Sequence, residues 1–144
     1  MSRSMVGALR QQSMATGSNV NSFAIVPAAG VSQRMGRPKL LLPWAGQRVI
    51  DVVLNAWQQS QVTRTIVIVY AEDHEIIDSC QSTGVDVVSI STRTKDMKAT
   101  IKIGLSHIEQ TEAPQSDDAW LVAPADLPNL SSPAIDHVLQ AFQD

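Results

Sequence analysis

Ala24-Ile25-Val26-Pro27-Ala28-Ala29-Gly30-Val31-Ser32-Gln33-Arg34-Met35-Gly36-Arg37-Pro38-Lys39 is an apolar run that breaks into a loop of glycine, serine, arginine and lysine. An apolar run bounded by turn signals reads as a buried strand. The loop after it holds no carboxylate. Its glycines let backbone N–H groups approach a ligand closely, because no Cβ intervenes. Successive N–H groups in such turns make an anion-binding concavity, and Arg34, Arg37 and Lys39 add full positive charges. A polyphosphate suits it. The order of residues is not a Walker A loop, since Gly30 and Gly36 lie too far apart and Arg37-Pro38 separates Gly36 from Lys39. No Gly-x-Gly-x-x-Gly fingerprint is present either.

Working outward, strands and helices alternate. The pattern predicts a helix over Val49 to Trp57, with Ile50, Val53, Leu54 and Trp57 on one face. Thr65 to Tyr70 is a β-branched strand, Glu72 to Gln81 a short helix ending before Gly84, and Val85 to Ile90 a third strand. A helix over Met97 to Ile108 is expected to bury Met97, Ile101, Leu105 and Ile108. Ala119 to Ala123 is a fourth strand, and Pro133, after Ser131-Ser132, opens a last helix. This alternation predicts right-handed βαβ units and a parallel sheet covered on both faces. Ligands on such sheets sit at the carboxyl ends of the strands. Three segments with chemical potential follow strands: the opening loop, the stretch from Ser91, and Pro124-Ala125-Asp126-Leu127-Pro128. Asp126, held between prolines at a strand end, reads as a turn residue or as a ligand for Mg²⁺.

The run Ala28-Ala29-Gly30-Val31-Ser32-Gln33-Arg34-Met35-Gly36, continued by Lys39-Leu40-Leu41-Leu42-Pro43, resembles the opening motif of the MobA-like nucleotidyltransferase family, most closely its molybdenum cofactor cytidylyltransferase branch. The resemblance implies an α/β, three-layer Rossmann-like nucleotidyltransferase fold with a mostly parallel sheet. It implies transfer of CMP from CTP to a phosphorylated acceptor, the molybdenum-bound pterin in that branch, with loss of pyrophosphate. Ala29, where related guanylyltransferases carry leucine-alanine-glycine-glycine, favours CTP. Carried over by motif, Gly30, Ser32, Arg34, Gly36 and Lys39 hold the triphosphate, and Ala28 and Ala29 border the base. Asp126 binds Mg²⁺, or Mn²⁺ in its place, and Arg34, Lys39 and Asp126 form the catalytic group. Asp96-Met97-Lys98-Ala99-Thr100 to Gly104 resembles a second motif, in which Met97 and Thr100 border the nucleotide. Asp96 and Thr100 depart from its usual glycine and serine; Asp96 is a natural helix N-cap. The resemblance runs from about Phe23 and implies a domain truncated at its C-terminus, without the acceptor region and second metal-binding Asp of the family. An exposed sheet edge would then favour homo-oligomers.

Bulk properties agree with a small anionic ligand. The chain has 144 residues and a net charge of −3, and Arg3, Arg10, Arg34, Arg37, Lys39 and Arg48 all precede the first acid, Asp51. A positive mouth is expected, without the aromatic-interleaved basic stripe of a nucleic-acid surface. Cys80 is the single cysteine, which argues for the reducing cytoplasm. No run has the apolar length of a membrane span. Residues 1–22 read as a disordered tail or a start assigned too early, with Met14 the alternative, and 23–144 as the nucleotidyltransferase domain. His74, His107 and His137 share no ligand spacing with Cys80, so no zinc site is expected. The absence of a Gly-x-Ser-x-Gly elbow disfavours a serine hydrolase. The rival readings are a non-catalytic nucleotide-binding domain of this fold, a guanylyltransferase and a sugar-phosphate nucleotidyltransferase.

Overall fold

The computed structural model describes residues 20–30, 33–34 and 37–143, with backbone only at 33–34, 37–38 and 143. In chain order these form β1 (Ser22–Ala28), β2 (Gln33–Arg34), β3 (Arg37–Pro38), a 3₁₀ turn (Lys39–Leu41), β4 (Pro43–Trp44), β5 (Gln47–Arg48), α1 (Val49–Gln59), β6 (Arg64–Tyr70), α2 (His74–Thr83), β7 (Asp86–Ile90), α3 (Met97–Thr111), β8 (Ala119–Val122) and α4 (Ser132–Gln143). The segment between β1 and α1, expected as one long loop, contains two small antiparallel pairs, β2 with β3 and β4 with β5.

The main sheet is parallel throughout, in the order β7-β6-β1-β8. Alternate residues of each strand point to opposite faces, and the core divides accordingly. Ala24, Val26 and Ala28 of β1 join Val67 and Val69 of β6 under Ile50, Val53, Leu54 and Trp57 of α1, Ile76 and Cys80 of α2, and Ile135 and Leu139 of α4. The α1 stripe is the one its spacing predicts, and burying each such side chain contributes about 1.5–3 kcal/mol. On the other face Phe23, Ile25 and Ala29 join Ile66 and Ile68 under Ile108 of α3. Phe23 also meets the ring of Trp120 from β8, centroids 5.7 Å apart.

Helix ends follow local chemistry. Gly84 ends α2 with φ of 83°, a left-handed position that suits glycine, and its N–H donates to the Cys80 carbonyl. Asp96 caps α3, its carboxylate accepting from the N–H of Ala99 at 2.8 Å.

The expected stripe of α3 needs correction. Met97 and Leu105 are exposed, and the buried residues are Thr100, Gly104 and Ile108. Small residues face the sheet because the helix comes very close to it. A Cβ built on Gly104 would stand 2.7 Å from Cγ2 of Ile25.

Candidate active site

The chain leaves β1 for β6 and β7 on one side, then returns to pair β8 on the other. Strand order reverses at β1, and open α/β sheets bind ligands at the carboxyl ends of the strands beside such a reversal. Pairing continues just past β8, with the N–H of Ala125 donating to the carbonyl of Pro27 at 3.3 Å. That bond sets the segment after β8 beside the end of β1.

A cleft of about 320 Å³ occupies this crevice. Of the residues singled out in the sequence, Ala28, Gly30, Lys39, Met97, Thr100 and Asp126 all line it. Gly30 needs no unusual backbone angle, and a Cβ placed on it would meet no atom of the described residues within 4 Å. Glycine at this position leaves the cleft open instead of relieving a clash. The Lys39 ammonium, on the 3₁₀ turn, donates to Oδ2 of Asp126 at 3.0 Å. Both side chains are about one-third exposed, at 36% and 33%.

Other positions differ from their expected place. Ala29 is fully buried in the core between the sheet and α3, so its methyl does not border the cleft. Strand alternation explains this, since Ala28 and Ala29 must face opposite ways. Thr100 lines the cleft from a position only 1% exposed, its hydroxyl bonded to that of Thr94. Arg34 belongs to β2, and only its backbone is described. Ser32 and Gly36 lie outside the described residues.

On the opposite wall, within and beside the stretch from Ser91, Arg93 and its partners were not signalled by any motif. Arg93, between β7 and α3, donates from Nη2 to Oδ1 of Asp73 at 2.8 Å and from Nη1 to the carbonyl of Gly30 at 3.1 Å. Its guanidinium carbon lies 4.3 Å from the centre of the Tyr70 ring. Lys95 and Asp96 complete this side of the lining. These residues share a wall only because β6 lies between β7 and β1 in the sheet, which a linear motif does not encode.

The carboxylates limit what metal the cleft can hold. Among the described residues no group of three His, Cys, Asp or Glu side chains could enclose an ion. Asp73 is committed to Arg93 and Asp96 to the cap of α3. Asp126 is left, with Lys39 against it. One strand-end carboxylate fits a magnesium ion that arrives on phosphates, which needs only one or two protein ligands, and does not fit a resident ion.

Comparison with known proteins agrees with this architecture. The profile of the MobA-like NTP transferase domain matches residues 24–144. The chain is 32% identical over 127 residues to 2-C-methyl-D-erythritol 4-phosphate cytidylyltransferase of Pseudomonas aeruginosa strain UCBPP-PA14, covering 85% of this chain and 53% of that protein. A crystal structure of 4-diphosphocytidyl-2C-methyl-D-erythritol synthase superposes with a TM-score of 0.67 at 23% identity, covering 83% of this chain and 53% of the other. The Mycobacterium tuberculosis H37Rv protein Rv0371c in complex with manganese superposes with a TM-score of 0.65 at 19% identity, covering 85% and 59%. The chain spans about half the length of the curated relatives it matches. No helix among the described residues is long and apolar enough to cross a membrane. By its profile match and its fold, the chain belongs to the MobA-like NTP transferase family.

Proposed function

We propose that this chain binds CTP in the strand-tip cleft and serves CMP transfer to the terminal phosphate of a small phosphorylated acceptor. The observation that carries the reading is the meeting of Lys39 and Asp126, far apart in sequence, at 3.0 Å beside the open space over Gly30. An ammonium, a strand-end carboxylate and a Cβ-free backbone are what a metal-bearing triphosphate requires. The cytidylyltransferase named among the relatives favours CTP over GTP.

In the proposed reaction an oxygen of the acceptor phosphate attacks the α-phosphorus of CTP. A new P–O bond forms, the bond from the α-phosphorus to the bridging oxygen breaks, and pyrophosphate leaves with the electron pair. Such transfers depend on positioning and charge neutralisation more than on covalent chemistry. The triphosphate displaces Asp126 as the partner of Lys39, and the ammonium then offsets charge building on the leaving pyrophosphate. Arg34, with Ser32 and Gly36 of the same loop, completes the phosphate cradle. Ala28, Met97 and Thr100 border the nucleoside. Asp126 would hold Mg²⁺, or Mn²⁺, whose role is to neutralise phosphate charge and polarise the α-phosphorus.

Two acceptors are suggested by different evidence, the molybdenum-bound pterin by the opening motif and 2-C-methyl-D-erythritol 4-phosphate by the relatives' name. Both present a terminal phosphate, and the reading commits to that shared chemistry.

Calorimetric titration with CTP, GTP and pyrophosphate, with and without Mg²⁺, tests the binding half. Tighter binding of CTP than GTP, strengthened by Mg²⁺, is expected. Pyrophosphate release from CTP in the presence of each acceptor tests the transfer half. Binding without release supports the non-catalytic nucleotide-binding domain, and silence toward all three ligands removes the reading.

A further inference from the structure

We propose that Arg93 is a positioning residue that holds the first peptide of the glycine-rich loop in the shape that receives the triphosphate. Its guanidinium ties the tips of separate strands together. One arm donates to the Gly30 carbonyl just past β1 and the other to the Asp73 carboxylate before α2, while the plane lies over Tyr70 at the end of β6. A planar fork with fixed donors can satisfy such a set, whereas a lysine ammonium is a single point charge on a flexible stem.

A second tie runs through the neighbouring residue. Gly30 and Thr94 form an isolated parallel backbone bridge, and the Thr94 hydroxyl bonds that of Thr100 inside α3. Gly30 is therefore anchored to the start of α3 through both Arg93 and Thr94.

The contact also has an electrostatic sense. The Gly30 carbonyl and the Asp73 carboxylate both face Arg93, at the edge of a cleft proposed to take an anion. Asp73 is 14% exposed, so without the guanidinium it would remain a poorly solvated negative charge at that wall. Arg93 silences both acceptors and fixes where the Gly30 peptide lies. It need not touch the nucleotide to do this.

The nucleotide part of the inference rests on the CTP reading, and the test separates the two. Hydrogen exchange of the Ala28, Ala29 and Gly30 amides is measured in the ligand-free protein, for wild type, Arg93→Lys and Arg93→Met. Both variants should exchange faster there, by about tenfold or more, while keeping the wild-type fold by circular dichroism. Exchange in α1 and in α4, remote from the clamp, should be unchanged. In parallel, titration with Mg²⁺ and CTP should show both variants weakened about ten- to hundredfold, the range expected for losing hydrogen bonds to a charged group. The double variant Arg93→Met/Asp73→Asn should recover part of the affinity but not the slow exchange. A wild-type protein that ignores CTP would defeat the nucleotide reading, and the exchange measurement would still decide the clamp. Unaltered exchange at residues 28–30 of both variants would overturn the proposal, as would full CTP affinity in Arg93→Lys.

Discussion

Lys39 and Asp126 meet across the tips of β1 and β8 at 3.0 Å, and Arg93 and Asp73 meet beside the tips of β6 and β7 at 2.8 Å. Both pairs line one cleft, and each joins a cation to a carboxylate. Their surroundings differ. Among the described contacts Lys39 has the single partner Asp126, and both ends are about one-third exposed. Such a pair is worth about 0–1 kcal/mol, because water competes for both charges. Arg93 has a carboxylate, a carbonyl and an aromatic ring, and its Asp73 is more buried. Charge-assisted bonds of that kind contribute about 1.5–3 kcal/mol each. The first pair is cheap to open and stands at the switch point of the sheet; the second holds the loops on which the first depends. A cleft that must exchange one ion for another needs both kinds of contact.

The largest effect should come from the pair that opens. Asp126→Ala and Lys39→Ala are each expected to lower CTP-dependent pyrophosphate release by about 10²–10³-fold, the usual consequence of removing a transition-state charge partner. Both variants should keep wild-type circular dichroism, because the lost pair contributes little to stability. Activity surviving in full in Asp126→Ala would take that carboxylate out of the reaction. A folding defect in either variant would break the comparison itself, since the pair would then be holding structure.

Two glycines repeat the contrast between structure and space. Gly104 lies against the sheet, where an added methyl would meet the stiff, β-branched Ile25 at 2.7 Å and Ile68 at 3.1 Å. Gly104→Ala should therefore destabilise by about 1–3 kcal/mol. Cys80 provides the readout: it is fully buried, and burial, with the Asp51 charge second, pushes its thiol up to about 12. The thiol should stay unreactive in folded protein and be labelled faster in Gly104→Ala as the unfolded fraction grows. Unchanged labelling would mean that α3 can lift from the sheet at little cost.

Gly30→Ala should behave in the opposite way. Its methyl meets none of the described residues within 4 Å, so thermal stability should hold. The methyl would project where phosphates are proposed to lie, and CTP affinity should fall about tenfold, as expected for one displaced charge-assisted bond. Full affinity would mean that the ligand does not approach the Gly30 backbone.

These residues also mark what could be read from the chain alone. The four main strands and the α1 stripe were legible because local patterns specify them, and Lys39 and Asp126 stood out within recognisable words. The Arg93 wall was not legible, since Gly30, Tyr70, Asp73 and Arg93 become neighbours only once the sheet order brings three strand tips together. The α3 stripe was misread for another reason. Counting large apolar residues selected Met97 and Leu105, yet a helix this close to a sheet turns its small residues inward. Ala29 was assigned to the cleft by its motif, and strand alternation sends its methyl to the core.

The smallest expected effect tests most directly whether the Lys39–Asp126 pair is made to open. If a divalent cation and the Lys39 ammonium compete for the same carboxylate, removing the ammonium should strengthen metal binding with no nucleotide present. Lys39→Met keeps most of the side-chain length and removes the charge. Mn²⁺ binding to the ligand-free variant, followed by loss of the free-ion paramagnetic resonance signal, should tighten about fivefold, the equivalent of the upper end for an exposed pair. Adding Asp126→Asn to Lys39→Met should cancel the gain, which places the ion on that carboxylate. The same Mn²⁺ affinity in wild type and Lys39→Met would show that the ammonium does not guard Asp126, and the two pairs would no longer differ in kind.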